Sequence, residues 1–304
     1  MARKMIDFSK LNSHELEDFR NKYDAYIFDM DGVLVHLEAS PINGVKEVLE
    51  EIARNGKSIY VLTDNCLAKL KDITEKVTTL FPAIKKENVM CCTHLAVRYL
   101  KEINFNKKVY VIGVEDGPVA ELKDHGFQVV HDEEVTKIGV GDLRKAKFET
   151  GVGAVLVAGD YNFNYMKMFK AANYLVDPKV LLMQTHLSDI ANRQPVVPAV
   201  GSLVSAVKAG SGRKDSIAMG KGSEYCNSYL KSLGFPSERC LFVGDGIECD
   251  MVAGNISGMD TMLTLSGMSF LKDVESAKAK KMESYIPTYY TNSVADLMRV
   301  FKTQ

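Results

Sequence analysis

The stretch that most constrains this sequence is residues 26–33, Tyr-Ile-Phe-Asp-Met-Asp-Gly-Val, in which a short apolar run ends in two carboxylates and a glycine. Apolar runs this short are typical of buried strands in a parallel sheet. Because functional groups of such sheets gather at the carboxyl ends of the strands, Asp29 is expected to emerge there, and Gly32 permits a turn that brings Asp31 back to the same crevice. Two carboxylates this close resist ionising together unless a cation lies between them or one holds a proton. A divalent metal with a phosphate ester would use both, one as nucleophile and the other as proton carrier.

Two other interpretations of this stretch are disfavoured. A calcium loop of the EF-hand type also begins with Asp-x-Asp, but it needs a glycine at its sixth position and a glutamate at its twelfth. Leu34 and Ser40 stand there, which excludes that loop. A nucleotide-binding oxidoreductase has little support, because no G-x-G-x-x-G follows the first predicted strand. An ordinary acidic turn after a strand stays open on this stretch alone.

Length, charge and cysteine content limit the class of protein. The 304 residues are enough for one large or two medium domains. The formal net charge of −1 gives no reason to expect nucleic acid or an anionic membrane as a partner. Neither a membrane span nor a secretory signal is predicted, so a cytoplasmic location is expected. The 6 cysteines contain no Cys-x-x-Cys pair and are expected to be free, buried thiols.

Three further apolar runs end in polar groups. The runs and the residues that follow them are 58–62 with Thr63, Asp64 and Asn65, 216–219 with Lys221, and 240–243 with Asp245 and Asp250. Because parallel strands place their carboxyl ends at one edge of a sheet, all four junctions are expected to meet there. Several carboxylates suit a hard cation such as Mg²⁺, and a lysine offsets the charge of a phosphate. A threonine hydroxyl and the N–H groups at the head of a helix can hold phosphate oxygens.

These residues resemble the four sequence motifs of the haloacid dehalogenase superfamily. In order along the chain, the matching motifs are Asp29-x-Asp31-Gly32, Thr63, Lys221 and Gly244-Asp245-x-x-x-x-Asp250. The chain looks most like the para-nitrophenylphosphatase, phosphoglycolate and pyridoxal-phosphate phosphatase branch, which carries a cap between the second and third motifs. The resemblance implies a doubly wound, Rossmann-like α/β core with a parallel sheet in residues 1–100 and 193–304. An inserted, smaller α/β cap is expected in residues 101–192.

The resemblance also implies catalytic roles. Asp29 would attack phosphorus and form an aspartyl-phosphate, while Asp31 would protonate the leaving alcohol and later activate water. Lys221 would steady Asp29 and the phosphoryl group. The expected phosphate-binding set is Thr63, Asp64, Asn65 and Gly32.

The cofactor implied by the resemblance is Mg²⁺. Its expected ligands are the side chains of Asp29 and Asp245 and the backbone carbonyl of Asp31, with Asp250 close by or in the outer shell. The expected substrate is a small phosphorylated metabolite that a closing cap can enclose. A homodimer formed through the cap is a further expectation, whereas nucleic acid and membrane partners are not expected.

Three positions depart from the pattern of this branch. Asp64 stands where the family usually has asparagine, Gly222 replaces a usual proline, and His186 lies where asparagine is common. Because Asp64 adds a negative charge beside the expected phosphate, the alternative is a catalytically weak or inactive family member that acts as a binding or scaffold protein. The histidines show no ligand spacing and are expected to be surface or core residues: His36, His94, His125, His131 and His186.

Overall fold

The computed structural model describes residues 5–36, 40–132, 138–193 and 195–302. The strands of this described part are β1 (Ile6–Asp7), β2 (Ala25–Phe28), β3 (Ser58–Thr63), β4 (Val89–Cys91), β5 (Lys108–Ile112), β6 (Val129–His131), β7 (Val152–Val157), β8 (Leu181–Gln184), β9 (Ile190–Arg193), β10 (Val196–Pro198), β11 (Ile217–Ala218), β12 (Cys240–Gly244), β13 (Asp260–Thr264) and β14 (Tyr289–Thr291). The helices are α1 (Ser13–Lys22), α2 (Val45–Arg54), α3 (Leu70–Leu80), α4 (Cys92–Glu102), α5 (Ala120–Asp124), α6 (Val140–Arg144), α7 (Tyr165–Tyr174), α8 (Val200–Ser211), α9 (Glu224–Lys231), α10 (Val252–Ile256), α11 (Leu271–Ala279) and α12 (Met298–Lys302).

The first of two compact units contains a seven-stranded sheet. The unit comprises Met1–Thr63, Lys71–Met90 and Cys226–Gln304. Its strand order is β1-β14-β13-β12-β2-β3-β4, and the neighbouring pairs from β1 to β3 are parallel. From β2 the chain first moves outward through β3 and β4, and later returns to the other side of β2 as β12, β13 and β14. The boundary between β2 and β12 is therefore the switch point of a doubly wound sheet, where ligands of such folds bind. The predicted α/β class with a Rossmann-like parallel core is confirmed.

Apolar patterning accounts for the elements around this switch point. All four residues of β2 are buried, as expected for a strand covered on both faces. Helix α2 begins after Gly44, whose φ of 82° is left-handed. Its buried face consists of Val45, Val48, Leu49 and Ile52. The 3.6-residue period therefore places α2 with one apolar face toward the core.

The second unit contains a parallel sheet of its own. It comprises Asp64–Leu70 and Cys91–Tyr225. The order of its five-stranded sheet is β11-β8-β7-β5-β6, with every neighbouring pair parallel, and β9 and β10 form a separate antiparallel pair. Strand β11 precedes Lys221 and pairs with β8 in this sheet. The prediction that all four polar junctions follow strands of one sheet is therefore wrong for Lys221, because apolar runs do not specify a strand's partner.

The units differ in extent from the predicted division of the chain. Helix α8 lies in the second unit, where Val200, Val204 and Val207 share a hydrophobic cluster with Ala171 and Leu175. The division into residues 1–100 with 193–304 and a cap of residues 101–192 stays a prediction. Five of the six cysteines are buried, as predicted, and Cys249 is half-buried. Within the described ranges, no helix combines the length and apolarity needed to cross a bilayer.

Candidate active site

Three buried carboxylates lie together at the carboxyl edge of the first sheet. One oxygen each of Asp29, Asp245 and Asp250 falls within 4.8 Å of the other two, and we call these residues the carboxylate cluster. Asp29 follows β2 and Asp245 follows β12, so the two flank the switch point of the sheet. The exposed fractions of the three residues are 7%, 6% and 0%. Carboxylates buried at this distance repel one another unless a cation or a proton lies between them.

The turn after Asp29 brings the backbone close to Asp245. The Asp29 carboxylate accepts a hydrogen bond from the Met30 N–H at 2.7 Å. Gly32 has a φ of 80°, and its N–H donates to the Val35 carbonyl at 2.7 Å. A Cβ atom at Gly32 would lie 2.3 Å from Asp245 Oδ2, so any side chain there displaces that carboxylate. Glycine is required for both its conformation and its small size.

Asp250 shapes the loop that presents Asp245. Its Oδ2 accepts the backbone N–H groups of Asp245 at 3.1 Å and Gly246 at 2.9 Å. A Cβ atom at Gly244 would lie 2.2 Å from the Asp250 side chain. The spacing Gly244-Asp245-x-x-x-x-Asp250 therefore lets the second carboxylate fold back and hold the first in place.

A loop that the sequence analysis did not identify completes this arrangement. The Met268 N–H donates to Asp245 Oδ2 at 2.7 Å, and the Ser266 hydroxyl donates to the Gly32 carbonyl at 2.7 Å. The Ser269 N–H donates to the Asp245 carbonyl at 3.0 Å. Gly267 leaves room for the carboxylate, because a Cβ atom there would lie 1.8 Å from Asp245 Oδ2. The available signal was the Ser-Gly-Met-Ser run at residues 266–269, just after the apolar strand β13.

The remaining predicted residues of the first unit are Asp31 and Thr63. Asp31 is half-buried and forms an isolated bridge to Val35, which closes the turn that contains Gly32. Thr63 is the last residue of β3, next to β2 in the sheet, and is 1% exposed. The junctions after β2, β3 and β12 therefore share one edge of the sheet, as predicted for these three.

Lys221, Asp64 and Asn65 belong to the second unit. Asp64 Oδ1 accepts the backbone N–H of Lys221 at 3.1 Å. A Cβ atom at Gly220 would lie 2.5 Å from the same oxygen, so Gly220 permits this approach. Asn65 Oδ1 accepts the Leu67 N–H at 3.0 Å, and Lys221 is 3% exposed. Asp64, one of the three departures, thus positions the backbone of the predicted catalytic lysine.

The other two departures are Gly222, which the backbone conformation explains, and His186, which is buried among polar side chains. Gly222 has a φ of 81°, which proline cannot adopt because its ring holds φ near about −65°. His186 is 8% exposed and lies among Cys66, Asp64 and Lys221. Burial would lower the pKa of His186, but a hydrogen bond with Cys66 raises it above its ordinary value. The hydrogen bond from Cys92 is the main cause that lowers the pKa of Cys66, and His186 adds to it.

The carboxylate cluster has the donor set of a hard divalent cation. Mg²⁺ takes oxygen ligands, keeps several waters and binds one or two protein carboxylates in typical phosphate sites. The cluster fits this requirement, since it offers three buried carboxylates at the switch point of the sheet. Such an ion supplies charge neutralisation for a phosphate ester when bound. A candidate nucleophile (Asp29) and a candidate proton carrier (Asp31) stand in the same turn.

Comparisons with known proteins agree with this chemistry. Residues 26–128 match the family model described as haloacid dehalogenase-like hydrolase, and residues 219–297 match a second model of hydrolases like haloacid dehalogenases. Glycerol-3-phosphate phosphatase from Gallus gallus is 32% identical over 291 residues, which cover 90% of this chain and 91% of that protein. Phosphoglycolate phosphatase 2 from Arabidopsis thaliana is 30% identical over 302 residues, which cover 96% and 98%. The solved p-nitrophenyl phosphatase from Archaeoglobus fulgidus has the same fold, with a TM-score of 0.74 at 23% identity over 90% of this chain and 98% of that one.

Proposed function

This chain belongs to the haloacid dehalogenase-like hydrolase family, and from that premise we propose a Mg²⁺-dependent phosphatase that hydrolyses phosphomonoesters of small metabolites through an aspartyl-phosphate. The chain is a hydrolase of the phosphatase class, as its relatives are. The observation that carries the mechanistic proposal is the carboxylate cluster, with Asp29 and Asp245 on either side of the switch point. Mg²⁺ would be held by Asp29 and Asp245, with Asp31 contributing its carbonyl and Asp250 holding the loop.

The proposed reaction uses two carboxyl groups in one turn. Asp29 attacks phosphorus and the ester P–O bond breaks, while Asp31 donates its proton to the leaving oxygen. Asp31 then removes a proton from water as the water attacks the phosphorus of the aspartyl-phosphate. This second step releases inorganic phosphate and regenerates both side chains. Positioning and charge neutralisation are the main requirements of such a transfer.

The remaining proposed roles fall to residues of both units. Lys221 neutralises charge on Asp29 and the phosphoryl group, and Thr63, Asn65 and Gly32 bind phosphate oxygens. The hydrogen bond from the Lys221 backbone N–H to Asp64 Oδ1 supports including Asp64 in this proposed set. A chain with this assignment acts on small substrates such as glycerol phosphate, phosphoglycolate, pyridoxal phosphate or para-nitrophenyl phosphate.

The proposal is tested with Asp29→Asn. Hydrolysis of para-nitrophenyl phosphate in Mg²⁺ should fall by at least about 10⁴-fold, because the amide cannot act as the nucleophile. The control is Glu248→Gln, an exposed carboxylate three residues from Asp245, which should keep the wild-type rate. If Asp29→Asn kept its turnover, with circular dichroism showing that it is folded, the assignment of the nucleophile would be wrong.

Assays with a panel of phosphorylated metabolites identify the preferred substrate and also test the alternative function. Asp64, which replaces the usual asparagine, motivates the alternative of a family member that binds phosphorylated ligands with little catalysis. Ligand binding without turnover of any ester on the panel would favour that alternative.

Light scattering of the full chain tests the proposed homodimer, and cell fractionation tests the proposed cytoplasmic location.

A further inference from the structure

A second group of potential metal ligands lies wholly within the second unit. It consists of His94 on α4, Glu121 on α5 and His125 just after α5, and we call it the histidine cluster. One nitrogen or oxygen of each residue falls within 4.8 Å of the other two. Glu121 Oε1 lies 2.6 Å from His94 Nδ1 and 3.2 Å from His125 Nε2. The two imidazole rings are edge to face, with centroids 4.9 Å apart.

The centre of the histidine cluster is a buried carboxylate that requires positive charge. The Glu121 side chain is 4% exposed, and its Oε2 accepts the Leu70 N–H at 3.0 Å. In the described part of the chain, the ion-pair partners of Glu121 are the two histidines, and no lysine or arginine joins them. Burying a carboxylate costs several kcal/mol unless a cation compensates it. The compensating charge is either a protonated imidazole or a bound metal ion.

The donor types of the histidine cluster select a different metal from the carboxylate cluster. Two imidazole nitrogens and one carboxylate oxygen form a common zinc donor set, whereas Mg²⁺ prefers oxygen alone. The side chains of His94 and His125 are 17% and 31% exposed. Solvent can therefore reach the cluster and provide a fourth ligand.

The distances within the histidine cluster are close to those of a tetrahedral site. Ligands about 2.0–2.1 Å from zinc lie roughly 3.3 Å apart in a tetrahedron. His125 Nε2 and Glu121 Oε1 are already 3.2 Å apart. His94 Nδ1 lies 2.6 Å from Glu121 Oε1, so this distance has to increase by less than roughly 1 Å. A small rotation of the half-buried His94 ring provides that increase.

One contact competes with metal binding. Lys101 Nζ lies 3.2 Å from His125 Nδ1, where the ammonium donates to that nitrogen. A metal on Nε2 favours a proton on Nδ1, so the Lys101 amine must turn away. Lys101 is exposed, and its side chain is free to rotate into solvent.

We propose that His94, Glu121 and His125 bind one Zn²⁺ ion per chain, with water as the fourth ligand. The ion neutralises the buried carboxylate and ties α4 to the end of α5. Metal ligands must be deprotonated at the coordinating atom, so any proton on these atoms is released when the metal binds. This site is independent of the carboxylate cluster and of the proposed phosphatase mechanism, since it shares no residue with them.

The test measures metal binding to the full chain in millimolar Mg²⁺, which occupies the oxygen-only site. After chelation and dialysis, Zn²⁺ is added and the metal content is measured by mass spectrometry. Wild type should bind one zinc per chain, and Co²⁺ should give the visible absorption of a four-coordinate site with nitrogen ligands. His125→Gln should weaken binding by more than about 100-fold, because losing even an outer-shell partner costs about 10–100-fold.

Two matched variants make the outcome decisive. His131→Gln, which changes another half-buried histidine of the same unit, should bind zinc like wild type. Lys101→Ala should bind zinc several-fold more tightly, because the competing contact with Nδ1 is removed. Absence of stoichiometric zinc in wild type, or equal binding by His125→Gln and wild type, would overturn the proposal. If His125→Gln fails to fold, the cobalt spectrum of wild type and the zinc affinity of Lys101→Ala still test the proposed site. An unchanged zinc affinity in Lys101→Ala would also contradict it.

Discussion

The carboxylate cluster and the histidine cluster both place three potential ligands within 4.8 Å, but they are built differently. The carboxylate cluster is buried and comes from the segments that follow two adjacent parallel strands. The histidine cluster is half-open and comes from two helices. One group of potential ligands consists of oxygen atoms alone and lies at the carboxyl ends of strands. The other group includes two imidazole nitrogens and lies where two helices meet. Ligand chemistry separates the two more clearly than spacing does.

The prediction with the largest expected effect asks which of the two clusters is needed for hydrolysis of the phosphate ester. Removing divalent metals with EDTA should abolish hydrolysis of para-nitrophenyl phosphate, because the buried carboxylates lose their compensating charge. Mg²⁺ in excess should restore the rate after the chelator is removed. Restoration by one equivalent of Zn²⁺ in wild type but not in His125→Gln, with no response to Mg²⁺, would instead assign the chemistry to the histidine cluster.

A smaller effect tests how tightly the backbone is fitted to the carboxylate cluster. Gly32→Ala should lower kcat by roughly 100-fold, because its Cβ would meet Asp245 Oδ2 at 2.3 Å and displace it. Gly56→Ala is the matched control, since Gly56 has a φ of 71° but no atom within 4 Å of the added Cβ.

Both variants should lose about 1–2 kcal/mol of unfolding free energy from the left-handed backbone alone. Thermal melts and steady-state kinetics measure the two quantities separately. Equal activity of the two variants would show that the close approach of Gly32 to Asp245 has no catalytic consequence.

The smallest effect concerns acid stability of the histidine cluster without metal. Burial would raise the pKa of Glu121, but hydrogen bonds from His94 and the Leu70 N–H hold it below the ordinary value of 4.5. A carboxyl group with a lowered folded-state pKa stabilises the fold above its unfolded pKa, and this contribution is lost as pH falls. Wild type should therefore lose stability through this group as the pH falls from about 5 to about 3.

Denaturant melts of wild type and Glu121→Gln across this pH range isolate the contribution. The variant should show a shallower acid limb, because the glutamine does not titrate. Parallel acid limbs in the two proteins would mean that the histidines do not stabilise the Glu121 carboxylate.

Much of the first unit was predictable because its signals are local. The apolar runs identified β2, β3 and β12. The sharp turn at Gly32 and the Gly-Asp-x-x-x-x-Asp spacing predicted where carboxylates would emerge. These features depend on residues a few positions apart, whose geometry the backbone dictates.

Pairings between distant segments were less predictable. Strand β11 was expected at the same sheet edge as the other junctions, yet it pairs with β8 in the second sheet. A short apolar run carries no information about which strand it pairs with. The loop at Gly267 and Met268 was missed for a related reason, because its role depends on how closely it approaches Asp245.

The sequence by itself determined the family resemblance, the order of the polar junctions and the oxygen-only chemistry of Asp29, Asp245 and Asp250. Only the tertiary structure decided that Asp250 folds back onto the Asp245 loop and that His94 meets Glu121 and His125. The physical reason is range: periodicity and turn chemistry act within a few residues, whereas His94 and Glu121 are 27 residues apart and meet only when their helices pack.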